Sequence, residues 1–131
     1  MNVQDRMPHR PPALLLESGE LTGTDRAVCR ARVHAEHPMT QHGAARSVLA
    51  LELIAQAAAF LRDAAHEEGS PRLVGCRELV LHVGDLAEGE QLVVTVERKG
   101  GGDDGATFVG SVERPGGERV ADARIVVRRT R

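Results

Sequence analysis

The sequence predicts an α+β domain in which one long helix is wrapped by an antiparallel sheet of about six strands. Three observations carry that expectation. A single long run, 48–66, is rich in Ala and Leu and free of Gly and Pro. Two apolar or alternating segments precede it and four follow it, separated by glycine- and proline-containing turns. The 131 residues, 41% hydrophobic and 27% charged, suffice for one packed core over 1–131 and leave no room for a second domain.

The elements follow in chain order. Segment 7–12, Met7-Pro8-His9-Arg10-Pro11-Pro12, holds too many prolines for a helix and reads as an extended entry. Residues 13–18 form a short apolar strand, with Gly19 and Gly23 marking the turn after it. Over 27–34 the residues alternate. Ala27, Cys29, Ala31 and Val33 point one way and Arg30, Arg32 and His34 the other, as in a half-buried strand. A polar stretch, 34–47, leads to the helix, for which Ser47 is the N-cap. At 1.5 Å per residue the helix is about 28 Å long. Its first four turns are apolar on nearly every side, so it is enclosed rather than laid on a surface. Gly69-Ser70-Pro71 ends it. Strands at 73–83 (interrupted by Gly75), 91–98, 106–114 and 120–128 complete the chain, with a glycine hairpin loop at 100–105 and a turn at Pro115-Gly116-Gly117. A sheet curled around one helix leaves its outer edges unpaired, and pairing an edge strand with another subunit is the simplest remedy.

Composition removes several functions. Seventeen Lys and Arg against nineteen Asp and Glu give a net charge of −2, which argues against a nucleic-acid binder that works by neutralising phosphates. Phe60 and Phe108 are the only aromatic residues, so base-stacking platforms and aromatic cages are nearly excluded. Cys29 and Cys76 form no C-x-x-C pair and read as two small buried hydrophobes in a reducing compartment. No apolar run has signal-peptide or bilayer length, and the expectation is a soluble cytoplasmic domain.

Glu52 and Gln56 are the informative anomaly. Four residues apart, they share one face of an otherwise apolar helix, where a carboxylate loses hydration and gains acid character. The bland alternative is a glutamate reaching solvent where the helix leaves the sheet. Ahead of the helix stand His34, His37 and His42. They have the spacing of a metal triad, but no Cys or Asp stands beside them, and ordinary loop histidines are the expectation, with no metal. No G-x-S-x-G is present, which disfavours a serine hydrolase. His42 followed ten positions later by Glu52 is more suggestive, because a histidine base and a neutral carboxylic acid flanking one pocket can move two protons. The open amides of the helix N-terminus would polarise a carbonyl there.

Two segments carry a family resemblance. Met7-Pro8-His9-Arg10-Pro11-Pro12-Ala13-Leu14-Leu15-Leu16-Glu17 resembles the L-P-H-R-x-P-x-L-L-V-D opening of 3-hydroxyacyl-(acyl-carrier-protein) dehydratases. Leu51-Glu52-Leu53-Ile54-Ala55-Gln56-Ala57 resembles the L-E-x-M-A-Q-A of their central helix. With the four strands that follow, the likeness extends over nearly the whole chain and implies the hot-dog fold. Within that family the chain is most similar to the dehydratase-like subfamily of aryl-polyene pathways, whose loop before the helix is shortened.

The resemblance implies the dehydration of a 3-hydroxyacyl thioester carried on the phosphopantetheine arm of an acyl carrier protein, in fatty-acid or polyene-type biosynthesis, with no resident cofactor. It implies a histidine that removes the α-proton and a helix carboxylate that protonates the departing hydroxyl. The two come from different subunits of a homodimer or heterodimer, or of a higher oligomer. By position Glu52 matches the carboxylate, Gln56 the helix glutamine, expected to bind substrate, and the backbone amide of Ser47 the group that binds the thioester oxygen. The family's long histidine loop is replaced here by Pro38-Met39-Thr40-Gln41-His42-Gly43-Ala44-Ala45-Arg46. His42, after Gln41, is the best match to the histidine, and His37 is the second choice. Arg46, Arg72, Arg77, Arg128 and Arg129 are candidates for a basic rim that meets the acidic carrier. Two other functions remain open. A hot-dog acyl-thioesterase would turn the same carboxylate on water, and a non-catalytic subunit would complete a partner dehydratase.

Overall fold

Residues 14–64, 70–102 and 105–130 are described by a computed structural model. The strands are β1 (Leu16–Leu21), β2 (Arg26–Arg32), β3 (Thr40–Gln41), β4 (Ala44–Arg46), β5 (Ser70–Leu81), β6 (Asp85–Ala87), β7 (Gln91–Gly102), β8 (Gly105–Glu113) and β9 (Arg119–Thr130). One helix, α1 (Leu49–Ala64), lies between β4 and β5. Six strands form one antiparallel sheet in the order β1-β2-β7-β8-β9-β5, and β3, β4 and β6 form a second, small sheet. The six long strands correspond to the six segments read from the sequence, with shifted ends: Ser70 and Pro71, expected to end the helix, already belong to β5. The entry segment 7–12 lies outside the described residues.

Period-two alternation builds the sheet. β8 is buried at every second residue, so Ala106, Phe108 and Val112 face inward, as do Leu92, Val94 and Val96 of β7 and Ala121, Ala123, Ile125 and Val127 of β9. Against them pack Leu49, Leu53, Ile54, Ala57, Ala58 and Phe60 of α1, all fully buried in one core. Burying a side chain of Leu or Phe size contributes roughly 1.5–3 kcal/mol, so this cluster outweighs any single polar contact of the fold.

Three details differ from the sequence reading. The strand expected at 13–18 lies at Leu16–Leu21: residues 14 and 15 are not strand, and the strand runs through Gly19 rather than stopping there. A Cβ on Gly19 would lie 2.7 Å from the Phe60 ring, so this glycine lets an aromatic side chain press on the strand rather than turning the chain. Gly100, Gly101 and Gly102 are not a loop either. They continue β7 in register with Thr107, Ala106 and Gly105 of β8. The stretch before the helix, read as irregular, contains the β3–β4 hairpin, and β4 pairs in turn with β6.

Close packing of helix on sheet gives a stability prediction. A Cβ on Gly110 of β8 would stand 2.4 Å from Cγ2 of the fully buried Ile54. Gly110→Ala is expected to cost about 1–3 kcal/mol by overpacking, read as a lower denaturant midpoint with an unchanged slope.

The cysteines separate. Cys29 is fully buried, and burial pushes its thiol up to about 12. Cys76 is exposed, contrary to the expectation of two buried thiols. It sits opposite Ile125 on the inner side of the sheet, but β5 is an outer strand. At pH 8 a thiol-specific disulfide reagent should titrate one thiol in the native protein and two after unfolding. Because the folded state keeps the Cys29 proton that the unfolded chain releases, this residue's contribution to stability falls as pH rises from about 9 toward 12.

Candidate active site

Glu52 stands in the first turn of α1, on its less enclosed side. Val48 is exposed and Leu51, Glu52 and Ala55 are half-buried, a stripe at i, i+3, i+4 and i+7 that the sheet does not cover, while Leu49, Ala50, Leu53 and Ile54 face the core. The carboxylate therefore projects from an apolar stripe at the mouth of the helix–sheet sandwich.

Gln56, one turn on, is 1% exposed and holds that carboxylate. The backbone N–H of Leu15 donates to its Oε1 at 2.9 Å, and its Nε2 donates to Glu52 Oε1 at 3.0 Å. A backbone N–H can only donate, so the orientation of the amide is fixed and its NH₂ must face Glu52. Glu52 Oε1 is thereby an acceptor, and when the carboxyl group is neutral its proton sits on Oε2. In the carboxylate state the same bond is charge-assisted. Gln56 thus bridges the Leu15 amide and the Glu52 carboxylate. Leu15, which anchors it, was not legible in the sequence as a partner of Gln56, because it bonds through its backbone and no side-chain pattern marks it.

Ser47 is buried two positions before the helix, and its carbonyl accepts from the Ala50 amide at 2.9 Å. Its own N–H donates to the Gly84 carbonyl at 3.1 Å. The amide expected to await a thioester oxygen is thus occupied by the chain entering β6. Among the described residues the amides of Val48 and Leu49 bond to no backbone carbonyl, and they are the open donors of this helix end.

His42 occupies the tip of the β3–β4 hairpin. Both central residues, His42 (φ 54°) and Gly43 (φ 80°), have positive φ, as a type I′ two-residue turn requires. Glycine accepts this freely, whereas histidine is held there by the ladder and by the Glu88 amide, which donates to the Gly43 carbonyl at 2.8 Å. A Gly two residues before Ala45, between short polar and small residues, was the available sign of this turn. His42 is exposed, and no described residue bonds its ring.

His37 is 8% exposed in the turn before β3, and the Met39 amide donates to its Nδ1 at 3.1 Å. A neutral His37 therefore carries its proton on Nε2 and presents a donor there, not a base. Among the described residues neither histidine bonds to Glu52, and no three His, Cys, Asp or Glu side chains converge as metal ligands. Within one protomer the fold brings together Glu52 and Gln56 and leaves His42 at the tip of the β3–β4 hairpin.

The arginines named as a rim divide. Arg46, on β4, is exposed and stands opposite Asp85 of β6. Arg72 and Arg77 lie on β5 and Arg128 and Arg129 on β9, the neighbouring strand. No helix among the described residues is long and apolar enough to cross a membrane.

Comparison with known proteins agrees with this architecture. The family described as ApeP-like, ApeP dehydratase, matches residues 1–131. Among solved structures, the dehydratase heterocomplex ApeI:P from Xenorhabdus doucetiae is similar at a TM-score of 0.85 and 21% identity, over 100% of this chain and 92% of that one. The E. coli PaaI protein from the phenylacetic acid degradation operon is similar at 0.68 and 15% identity, over 86% of this chain and 82% of that one. A hypothetical thioesterase with coenzyme A from Streptococcus pneumoniae is similar at 0.65 and 13% identity, over 86% of each chain. These likenesses show the hot-dog fold. A search of curated proteins found no match.

Proposed function

The chain belongs to the ApeP-like dehydratase family, and from that premise we propose that it is a subunit of a 3-hydroxyacyl-(acyl-carrier-protein) dehydratase, converting a 3-hydroxyacyl thioester to the trans-2-enoyl thioester and water. The observation that supports this reading best is the Leu15–Gln56–Glu52 chain of hydrogen bonds, which orients one carboxyl group from an apolar helix stripe and assigns its proton to one oxygen.

In the proposed reaction the amides of Val48 and Leu49 receive the thioester oxygen, taking the role expected of Ser47, and lower the cost of negative charge as the α-carbon loses its proton. A histidine accepts that proton. Glu52 Oε2 gives its proton to the β-hydroxyl, which departs as water as the C–O bond breaks, and the electron pair of the C–H bond becomes the new double bond. Return of the proton from imidazolium to the Glu52 carboxylate restores the site, and Gln56 holds the carboxylate in the interval. Both ring nitrogens of His42 are free among the described residues, whereas the Met39 amide occupies Nδ1 of His37 and leaves its Nε2 a donor, which favours His42 as the base. Its place on a projecting hairpin suits a histidine delivered to the site of another subunit. Edge pairing of such subunits fits β5, an outer strand whose Val80 and Leu81 are 48% and 42% exposed. The ApeI:P assembly is a heterocomplex, and here the second subunit is either a copy of this chain or a different one.

The test is intact-mass spectrometry of a 3-hydroxyacyl carrier protein incubated with the purified protein. A loss of one water, ~18 Da, is expected. His42→Asn should slow it by about 10²-fold or more, while His37→Asn should change it less than about tenfold. Release of the whole acyl group would replace this reading by a thioesterase. No change of mass would mean that the chain works only with a second, different subunit.

A further inference from the structure

Thr40, the first residue of β3, carries a hydroxyl that neither packing nor strand pairing explains. The residue is half-buried, yet its Oγ1 is shut off from solvent, and among the described residues no group bonds it. The Thr40 backbone is satisfied, since its N–H donates to the His37 carbonyl at 2.8 Å. The hydroxyl alone is left over. A buried hydroxyl without a partner has given up water and gained nothing in exchange, which destabilises a fold. Valine has the same β-branched shape and suits a strand as well without that cost.

Register places the hydroxyl. Thr40 stands directly opposite Ala45 in the β3–β4 ladder, and Ala45 opposite Leu86 of β6. Opposed residues project to the same face, so these three side chains share the inner face of the small sheet. Ala45 and Leu86 are fully buried in one cluster with Leu49 and Leu53 of α1. That face is therefore turned toward the start of the helix. The same end of α1 holds the open amides of Val48 and Leu49, with Glu52 in its first turn.

The groups gathered there are of one kind. Val48 and Leu49 offer N–H donors, and Thr40 adds an O–H. Glu52, the acid of the site, already has its Oε1 bonded by Gln56. Donors grouped in this way fit a ligand that brings an oxygen, above all one on which negative charge develops. The helix fixes the directions of its amides, whereas a hydroxyl rotates about its C–O bond to meet such an oxygen.

We propose that Thr40 Oγ1 is a third donor to the thioester oxygen, beside the amides of Val48 and Leu49. This rests on the proposed function, because that reading brings the thioester to the helix N-terminus. The hydroxyl keeps its proton throughout. It bonds the oxygen in the substrate and bonds it more strongly as charge builds there with loss of the α-proton. Thr40 thus gives up folding stability for a contact with the ligand, a trade that is common in functional sites.

The experiment compares wild type, Thr40→Val, Thr40→Ser and a control, Thr95→Val, on the outer face of β7 opposite Val28 and Ser111. Melting temperature and single-turnover dehydration of a 3-hydroxyacyl carrier protein are measured for each. Calorimetry then follows the binding of two unreactive acyl-pantetheine analogues. One is an amide, which keeps the carbonyl, and the other is a thioether, in which CH₂ replaces it. Thr40→Val should melt about 2–5 °C above wild type and dehydrate about 10–100-fold more slowly. It should bind the amide at least about fivefold more weakly and the thioether within about twofold of wild type. Thr40→Ser, which keeps the hydroxyl, should dehydrate within about threefold of wild type, and Thr95→Val should match wild type in rate and in both affinities. A Thr40→Val protein that melts below wild type would overturn the proposal, because the hydroxyl then serves the fold. So would equal loss of affinity for the two analogues, an amide bound as tightly as by wild type, or no binding of the amide by wild type. Failure of the dehydratase reading looks different: a Thr40-dependent preference for the amide, with no loss of water from the carrier-bound substrate.

Discussion

A Glu52→Gln protein should lose dehydration by a factor of about 10²–10⁴ while folding normally. In the proposed reaction Glu52 supplies the proton that leaves with the hydroxyl, and an amide has no proton acidic enough to give. That loss corresponds to about 3–5 kcal/mol of transition-state stabilisation. The exchange is close to isosteric, and the new side chain still offers an Oε1 to the Gln56 NH₂, so the hydrogen bond at 3.0 Å is kept. Melting temperature should therefore stay within about 2 °C of wild type. Single-turnover rates with a 3-hydroxyacyl carrier protein, measured beside thermal denaturation, check both halves. An E52Q protein with undiminished dehydration would remove this carboxylate from the chemistry.

Gln56→Leu is expected to act on stability and on rate together. Leucine fills the space of a side chain that is 1% exposed, but it leaves the Leu15 N–H in the core with no acceptor. A buried donor without a partner costs about 1–3 kcal/mol, which for a domain of this size lowers Tm by about 5–10 °C. Glu52 also loses the donor that fixes its orientation. Dehydration should then fall about 10–100-fold in kcat with KM within twofold, since in the proposed reaction Gln56 positions the acid and does not hold the substrate. A Gln56→Leu protein with raised KM and unchanged kcat would instead return the glutamine to substrate binding. Gln56→Asn, which keeps the amide but is one methylene too short to span Leu15 and Glu52, should resemble the leucine variant in rate and melt above it.

Much of this protein is written in local pattern. Alternation at Ala27, Cys29, Ala31 and Val33, and again along β7, β8 and β9, places each strand, because the side-chain period of a strand is a property of the backbone alone. The Ala- and Leu-rich run that avoids Gly and Pro predicts an enclosed helix for the same kind of reason. Glu52 and Gln56 are visible as an anomaly, since a polar pair four apart in that run must share a face. A resemblance carried by two motifs then extends from the fold to a class of chemistry.

What escaped the sequence depends on contacts between distant residues. The partner of Gln56 lies 41 positions away and offers only a backbone amide, a group that every residue other than proline possesses. The Ser47 amide is engaged by Gly84, a contact that exists only when β6 has folded against the start of the helix. His42 is lifted onto a hairpin because β4 finds β6 beyond the helix, and two-residue strands have no periodicity to read. Cys29 and Cys76 look alike as single thiols, and one is buried while the other is open because sheet order puts β2 inside and β5 at the edge. Arg77 and Arg124, about fifty positions apart, likewise show no relation in sequence until antiparallel register sets them face to face. Local periodicity specified which elements form and which faces they bury. Partnership across the sheet, which depends on register and strand order, set which polar groups are occupied, which stay open, and so where the chemistry can take place.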